Sequence, residues 1–352
     1  MRRRRLTAAA SALLVLAALG GCAAPKEIAA EGEDGRISID YVQSTDSLAY
    51  VPIYIAINMG YFEEEGVDFN RVPNAGTSAQ TAQAVVTGQG QVAATGSTGV
   101  YGVVAQERDV TSIATIVKKS LLELTLGKAA VDRLRAKGIT PESPVEDRVR
   151  ALRGLTIGAQ PEGSFARVQL EATLREFGLA ASDVRLVAIS EPNALVPAMR
   201  EGQIDGFAFS LPTTRVPVVD GEGSLWVSYP RGDVPSVSDT YYIDLLTSRL
   251  ALDANREPLL RFLRAVWRAY DLLENDPEAA KAAVRKSFPD LGDELFDVSY
   301  GATAAALTGG MVPEQEPFER TAALWESSLD KPANLTFDDV YSPELVRESE
   351  PR

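Results

Sequence analysis

Three short stretches, Gly76-Thr77-Ser78, Gly96-Ser97-Thr98 and Gly163-Ser164, set glycine beside hydroxyl residues where strand-like sequence gives way to helix-like sequence. Free N–H groups at a helix start attract anionic or carbonyl oxygens, and a neighbouring hydroxyl adds a donor. The same hydroxyls serve equally well as helix N-caps, and Ser164 stands at the cap position of a helix predicted over 165–177. Ser44, Thr45 and Asp46 follow the first predicted strand, and Ser210 ends a later one. Tyr50, with Tyr241 or Tyr242, offers flat apolar walls of the kind small-molecule pockets use, or else core. The candidate ligand-binding residues are therefore Ser44, Thr45, Asp46, Tyr50, Thr77, Ser78, Ser97, Thr98, Gly163, Ser164, Ser210 and Tyr241. No arginine lies in these loops, Arg215 just beyond one of them being the nearest. A tightly held dianion normally requires one, so the loops suit a zwitterion, a neutral molecule or a weakly held monoanion.

The residues that are missing narrow the chemistry further. The chain has no histidine and one cysteine, Cys22. Ser-His and Cys-His catalysis and histidine-bearing metal sites are thereby excluded, leaving carboxylate pairs and lysine. No catalytic residue, metal ligand or cofactor is expected. With 35 basic and 49 acidic residues the net charge is −14, which repels nucleic acid and anionic headgroups.

Cys22 has another use. Arg2 to Arg5 form a basic start, an apolar stretch runs over 13–19, and Gly20-Gly21 precede the cysteine. That order describes a secretory signal over 1–21, too short to span a bilayer. Leu19-Gly20-Gly21-Cys22 resembles the lipobox of bacterial lipoproteins, which implies cleavage before Cys22 and acylation of its thiol. Loss of the first 21 residues removes four arginines and no acids, leaving a net charge of −18. Residues 22–35 are small and acidic and read as a flexible tether.

The candidate loops must be held by the elements between them. Alternation at Ile37, Ile39 and Tyr41 predicts a first strand, followed by strands over 67–72, 91–94 and 112–117. Helical stretches at 51–59, 78–87 and 99–107 intervene; the pattern loosens over 120–150, and the alternation resumes from 155 to 246. Such alternation argues for an α/β protein with parallel sheets. Leu259, Leu260, Leu263, Val266, Trp267 and Tyr270 lie at helical spacing, and the two aromatics read as core. Glu63-Glu64-Glu65 reads as a solvated helix face. The stretches 79–96 and 193–212 look like copies of one helix–Gly–strand–loop unit, which implies two similar lobes and a cleft at their strand ends.

Several longer motifs then resemble the substrate-binding proteins of ABC importers in the nitrate, sulfonate, taurine and thiamine-precursor group. The first is P-I-Y-I-A-I-N-M-G-Y-F-E-E-E-G-V-D, beginning at Pro52. The second covers 88–96, with Gln91 where an acidic residue is common. The others are A-L-R-G-L-T-I-G from Ala151 with Pro161-Glu162-Gly163-Ser164, and E-G-Q-I-D-G from Glu201 through Ser210-Leu211-Pro212. The resemblance implies a two-lobed, type II periplasmic-binding-protein-like fold with two crossing hinge strands. Residues 36–120 and 235–352 would form lobe 1, and 121–234 lobe 2, closing on ligand by hinge motion. It also implies a monomer, tethered to the outer face of the cell membrane through Cys22, that hands a small molecule to an ABC permease and its ATPase. A surface sensor without transport is the alternative. A pyrimidine-synthesising enzyme is another, but those relatives consume a histidine and use a cysteine-rich motif, and this chain has neither.

Overall fold

The computed structural model describes residues 27–28, 32, 35–73 and 75–351; the predicted signal and Cys22 lie outside the described residues. Ten strands form two five-stranded sheets. They are β1 (Ile37–Gln43), β2 (Val67–Arg71), β3 (Val92–Gly96), β4 (Val110–Val117), β5 (Leu122–Gly127), β6 (Thr156–Ala159), β7 (Arg185–Ala188), β8 (Gly206–Ser210), β9 (Gly223–Ser228) and β10 (Ile243–Ser248). The first sheet runs β2-β1-β3-β10-β4 and the second β7-β6-β8-β5-β9. Every residue of β3, β4, β5, β8 and β10 is buried, as expected for strands covered by helices on both faces.

The sheets are mixed, which corrects the expectation of parallel ones. β10 lies antiparallel between β3 and β4, and β5 antiparallel between β8 and β9. The cause is the crossing of the chain between lobes. β4 ends at Val117, and after four residues β5 begins in the other sheet. A strand that starts at the cleft must run against neighbours that finish there. β10 returns the chain in the same way. The repeated unit in the sequence maps onto β3 and β8, which hold the same middle position in their sheets.

The two crossings are fastened to each other. Ser120 N–H donates to Ser238 O at 3.1 Å, and Tyr242 N–H to Val117 O at 2.9 Å. Gln169, fully buried in the helix Phe165–Glu176, accepts from Ser120 Oγ at 2.7 Å and donates to Val237 O at 2.5 Å. Of the helices, Arg256–Asn275 is the longest described and buries Leu259, Leu263, Val266 and Phe262. Each such side chain contributes about 1.5–3 kcal/mol of transfer free energy. Among the described residues no helix is long and apolar enough to cross a membrane.

The segment read as a flexible tether is fastened to the first lobe at Glu27, whose carbonyl accepts from Gln91 Nε2 at 2.7 Å, and at Ile28. Ile28 is 2 % exposed; its N–H donates to Asn255 Oδ1 and its carbonyl accepts from Asn255 Nδ2, both at 2.9 Å.

Candidate functional site

Where the strand ends of the two sheets meet lies a small, partly open cavity of about 30 Å³. From the first sheet it is lined by Ser44, Thr45 and Ser47 after β1, Tyr50, Gly76 and Ser78 at the helix Ser78–Val86, and Gly96 at the end of β3. From the second it takes Leu122, Gln160, Phe165, Ala166, Phe209 and Ser210, and the returning crossing adds Tyr242 and Ile243. These positions are the carboxyl ends of the parallel strands and the starts of the two antiparallel ones, where open α/β sheets bind ligands. The volume suffices for about two water molecules. A larger occupant requires the lobes to part.

Of the twelve candidate residues, five line this cavity: Ser44, Thr45, Tyr50, Ser78 and Ser210. Ser44 Oγ lies 2.9 Å from Thr81 Oγ1 and 3.4 Å from Thr95 Oγ1. Burial pushes the Tyr50 phenol up, opposed by its hydrogen bonding with Ser44. Burial likewise raises Tyr242, against a hydrogen bond with Ser210. Both hydroxyls stay neutral and serve as donors and acceptors. Phe165 meets Tyr242 edge to face with ring centroids 5.1 Å apart. A Cβ on Gly96 would stand 2.4 Å from Ser78 Oγ, so the absence of a side chain there lets the end of β3 pack against the start of the helix Ser78–Val86.

The other seven candidates lie elsewhere. Asp46 is exposed at the rim and pairs with Arg71. Thr77 forms a capping box with Gln80. Ser164 caps its helix, accepting from Arg167 N–H at 3.3 Å and donating to Pro161 O at 2.7 Å, and Gly163 precedes it with φ 78°. Ser97 and Thr98 form the buried first turn of the helix Ser97–Val104, which starts two residues earlier than its pattern predicts. Tyr241 faces the opposite side of its segment from Tyr242; its hydroxyl accepts from Glu314 N–H at 2.6 Å and donates to Glu314 O at 3.2 Å. Arg215 is held by the fully buried Glu123 through two hydrogen bonds of 2.6 and 2.7 Å. Among the described residues, no charged side chain lines the cavity. Ser47, Gln160, Phe165 and Phe209 were not singled out from the sequence, although Gln160 is the first residue beyond β6, a position where such sites are sought; of the alternatives Tyr241 and Tyr242, it is Tyr242 that lines the cavity.

Two α/β lobes that share a cleft at their strand ends define the periplasmic-binding-protein fold. The solved structures agree. A protein of Bordetella bronchiseptica RB50 is 21 % identical with a TM-score of 0.71, covering 89 % of this chain and 96 % of that one. The alkanesulfonate-binding protein of Xanthomonas axonopodis pv. citri, solved bound to MOPS, is 18 % identical with a TM-score of 0.67, covering 86 % and 98 %. The chain belongs to the NMT1/THI5-like family, which matches residues 48–280. A relative from Aspergillus parasiticus, a 4-amino-5-hydroxymethyl-2-methylpyrimidine phosphate synthase, is 26 % identical over 244 residues, 66 % of this chain. The chain spans 65 % of that relative's length.

Proposed function

We propose that this protein is a solute-binding protein, lipid-anchored on the outer face of the cell membrane, that captures a small polar molecule and delivers it to an ABC importer without altering it. One observation carries the reading. The cleft is lined from both lobes by hydroxyls, one carboxamide and aromatic faces, with no charged side chain among the described residues. Such a lining can orient a ligand but supplies neither a strong base nor a nucleophile. The first-turn N–H groups at Ser78 and at Phe165–Ala166 add partial positive charge without a cation. This suits a neutral, zwitterionic or monoanionic ligand, of which taurine, an alkanesulfonate, nitrate or a pyrimidine are examples. Cys22 supplies the anchor and the importer's permease and ATPase the destination.

The synthase name of the Aspergillus relative favours an enzymatic reading. The absence of histidine, and of any cysteine besides Cys22, weighs against it. Thermal-shift screening with taurine, alkanesulfonates, nitrate, carboxylates and pyrimidines tests the reading, followed by calorimetry and mass spectrometry of the mixture. A stabilising compound recovered intact after prolonged incubation supports capture. Its steady conversion supports the enzyme. Cys22→Ser is expected to remove lipid incorporation and move the protein out of detergent-phase fractions; normal labelling of that variant would sink the anchor.

A further inference from the structure

The segment that enters the first lobe is bonded to it well before the first strand begins. Glu27 O accepts from Gln91 Nε2 at 2.7 Å. Ile28 pairs through both backbone groups with the Asn255 carboxamide, at 2.9 Å each. Its side chain is 2 % exposed and joins the same core as Ile37 and Leu259. Both partners are themselves held in place. Gln91 accepts from Asp40 N–H at 2.7 Å, and Asn255, between the helices Arg249–Ala254 and Arg256–Asn275, donates its N–H to Ala251 O at 2.8 Å.

This clasp sets the length of a tether that starts at Cys22. Glu27 is five residues beyond Cys22, whereas Ile37, the start of β1, is fifteen beyond it. A chain spans at most about 3.6 Å per residue, so the reach is about 18 Å with the clasp and about 54 Å without it.

The clasp also selects which end of the molecule the tether holds. β3 and β4 run towards the cleft and β10 runs away from it. The residues before β4 and after β10 therefore lie at the end of the first lobe farthest from the cleft, and Asn255 is among them. The surface there suits a close approach to a bilayer. Leu250, in the helix Arg249–Ala254, is 41 % exposed. Arg249 N–H donates to Asp109 O at 3.1 Å, which brings the loop before β4 alongside that helix. Glu107, Asp109 and Asp253 are there offset by Arg108 and Arg249. The face is thus nearly neutral in a chain of net charge −14, and zwitterionic headgroups meet it without the repulsion that a strongly charged face brings at an anionic surface.

We propose that the clasp at Glu27 and Ile28 shortens the lipid tether to five residues and holds the cleft-distal end of the first lobe against the headgroup layer of the membrane. The inference rests on the anchor at Cys22 proposed above. The test uses the full lipidated chain in phosphatidylcholine vesicles that carry an acceptor dye on a headgroup. With Cys22 occupied by lipid, the donor dye goes to one introduced thiol. Asp253→Cys places it at the clasped end, and Gln203→Cys places it near the amino end of β8 in the second lobe; both positions are exposed. β3 and β8, of five residues each, put about 33 Å of strand between the two positions. Energy transfer to the vesicle is expected to be about twofold or more greater from position 253. Ile28→Ser opens the clasp. An insertion of about fifteen Gly and Ser residues between Lys26 and Glu27 lengthens the tether and leaves the clasp intact. Each should lower transfer from position 253 by about twofold or more, with thermal unfolding confirming that the variant is folded. Equal transfer from the two positions would overturn the proposal and leave the anchor standing, as would transfer from position 253 that either folded variant leaves unchanged. A wild-type chain that incorporates no lipid would overturn both.

Discussion

Replacing Asp244 with asparagine should convert a pH-dependent stability into a flatter one. Asp244 follows the cleft-lining Ile243 in β10 and is fully buried. Its carboxylate accepts from Thr115 Oγ1 at 2.6 Å and from the Tyr341 hydroxyl at 3.0 Å. Burial nevertheless dominates these hydrogen bonds and raises its pKa from 3.8 to about 6. The folded protein therefore retains, between about pH 4 and pH 6, a proton that the unfolded chain has released. Proton uptake on folding means that stability falls as pH rises through this window and levels off above it.

The size of the effect follows from the shift. Roughly two pKa units at about 1.4 kcal/mol each give about 3 kcal/mol between pH 4 and pH 7. Asparagine cannot ionise, and the hydroxyls of Thr115 and Tyr341 can each donate or accept, so the amide finds partners. The stability of Asp244→Asn minus that of the wild type should therefore rise by about 3 kcal/mol from pH 4 to pH 7. Urea unfolding followed by circular dichroism at pH 4, 5, 6 and 7 measures this difference, in which the other titrating groups cancel. A difference that stayed constant across the series would refute the reasoning. One that fell as pH rose would mean that the fold favours the ionised carboxylate.

Arg215→Ala should destabilise the fold by about 3–5 kcal/mol in urea, because it strips the charge partner from the fully buried Glu123; Arg215→Met/Glu123→Gln should recover most of that. Tyr242→Ala removes a cleft wall and its contact with Phe165, and should weaken calorimetric affinity for the screened ligand by about tenfold or more. Ser44→Ala should weaken it by about threefold to tenfold, the equivalent of one neutral hydrogen bond. Ser164→Ala should lose about 1 kcal/mol of stability with its cap and leave affinity unchanged.

The parts of the fold legible in the sequence are those written as a period. Ile37, Ile39 and Tyr41 alternate because one face of β1 is the core, and Leu259, Leu263, Val266 and Tyr270 recur because one stripe of their helix is. Direction carries no such signature. β5 and β10 have ordinary strand sequences, and only the short crossings fix which way they run. The site divides along the same line. Ser44 and Ser210 were accessible to sequence reasoning because polar residues that end strands mark a rim. The choice between Tyr241 and Tyr242 was not, since adjacent residues of a strand face opposite sides and both faces here are buried. The Gly-hydroxyl pairs carried two meanings at once, and at Thr77 and Ser164 the hydroxyl acts as a cap.

Gln91 needs the folded protein for its explanation. Its Oε1 accepts from Asp40 N–H and its Nε2 donates to Glu27 O, both at 2.7 Å. A carboxylate at this position could make the first bond, but it has no hydrogen to offer the carbonyl of Glu27. The carboxamide is therefore the group that ties the segment entering β1 to the start of β3, and Asn255 repeats the device one residue later at Ile28. Both ties lie near the amino end of β3, whereas Gly96 at its carboxyl end lines the cleft. Five residues at about 3.3 Å each put about 16 Å of strand between them. The N-terminal segment is thus fastened to the first lobe at the far end of its sheet from the ligand cleft. The opening and closing at the crossings that the proposed function calls for would leave this attachment unstrained.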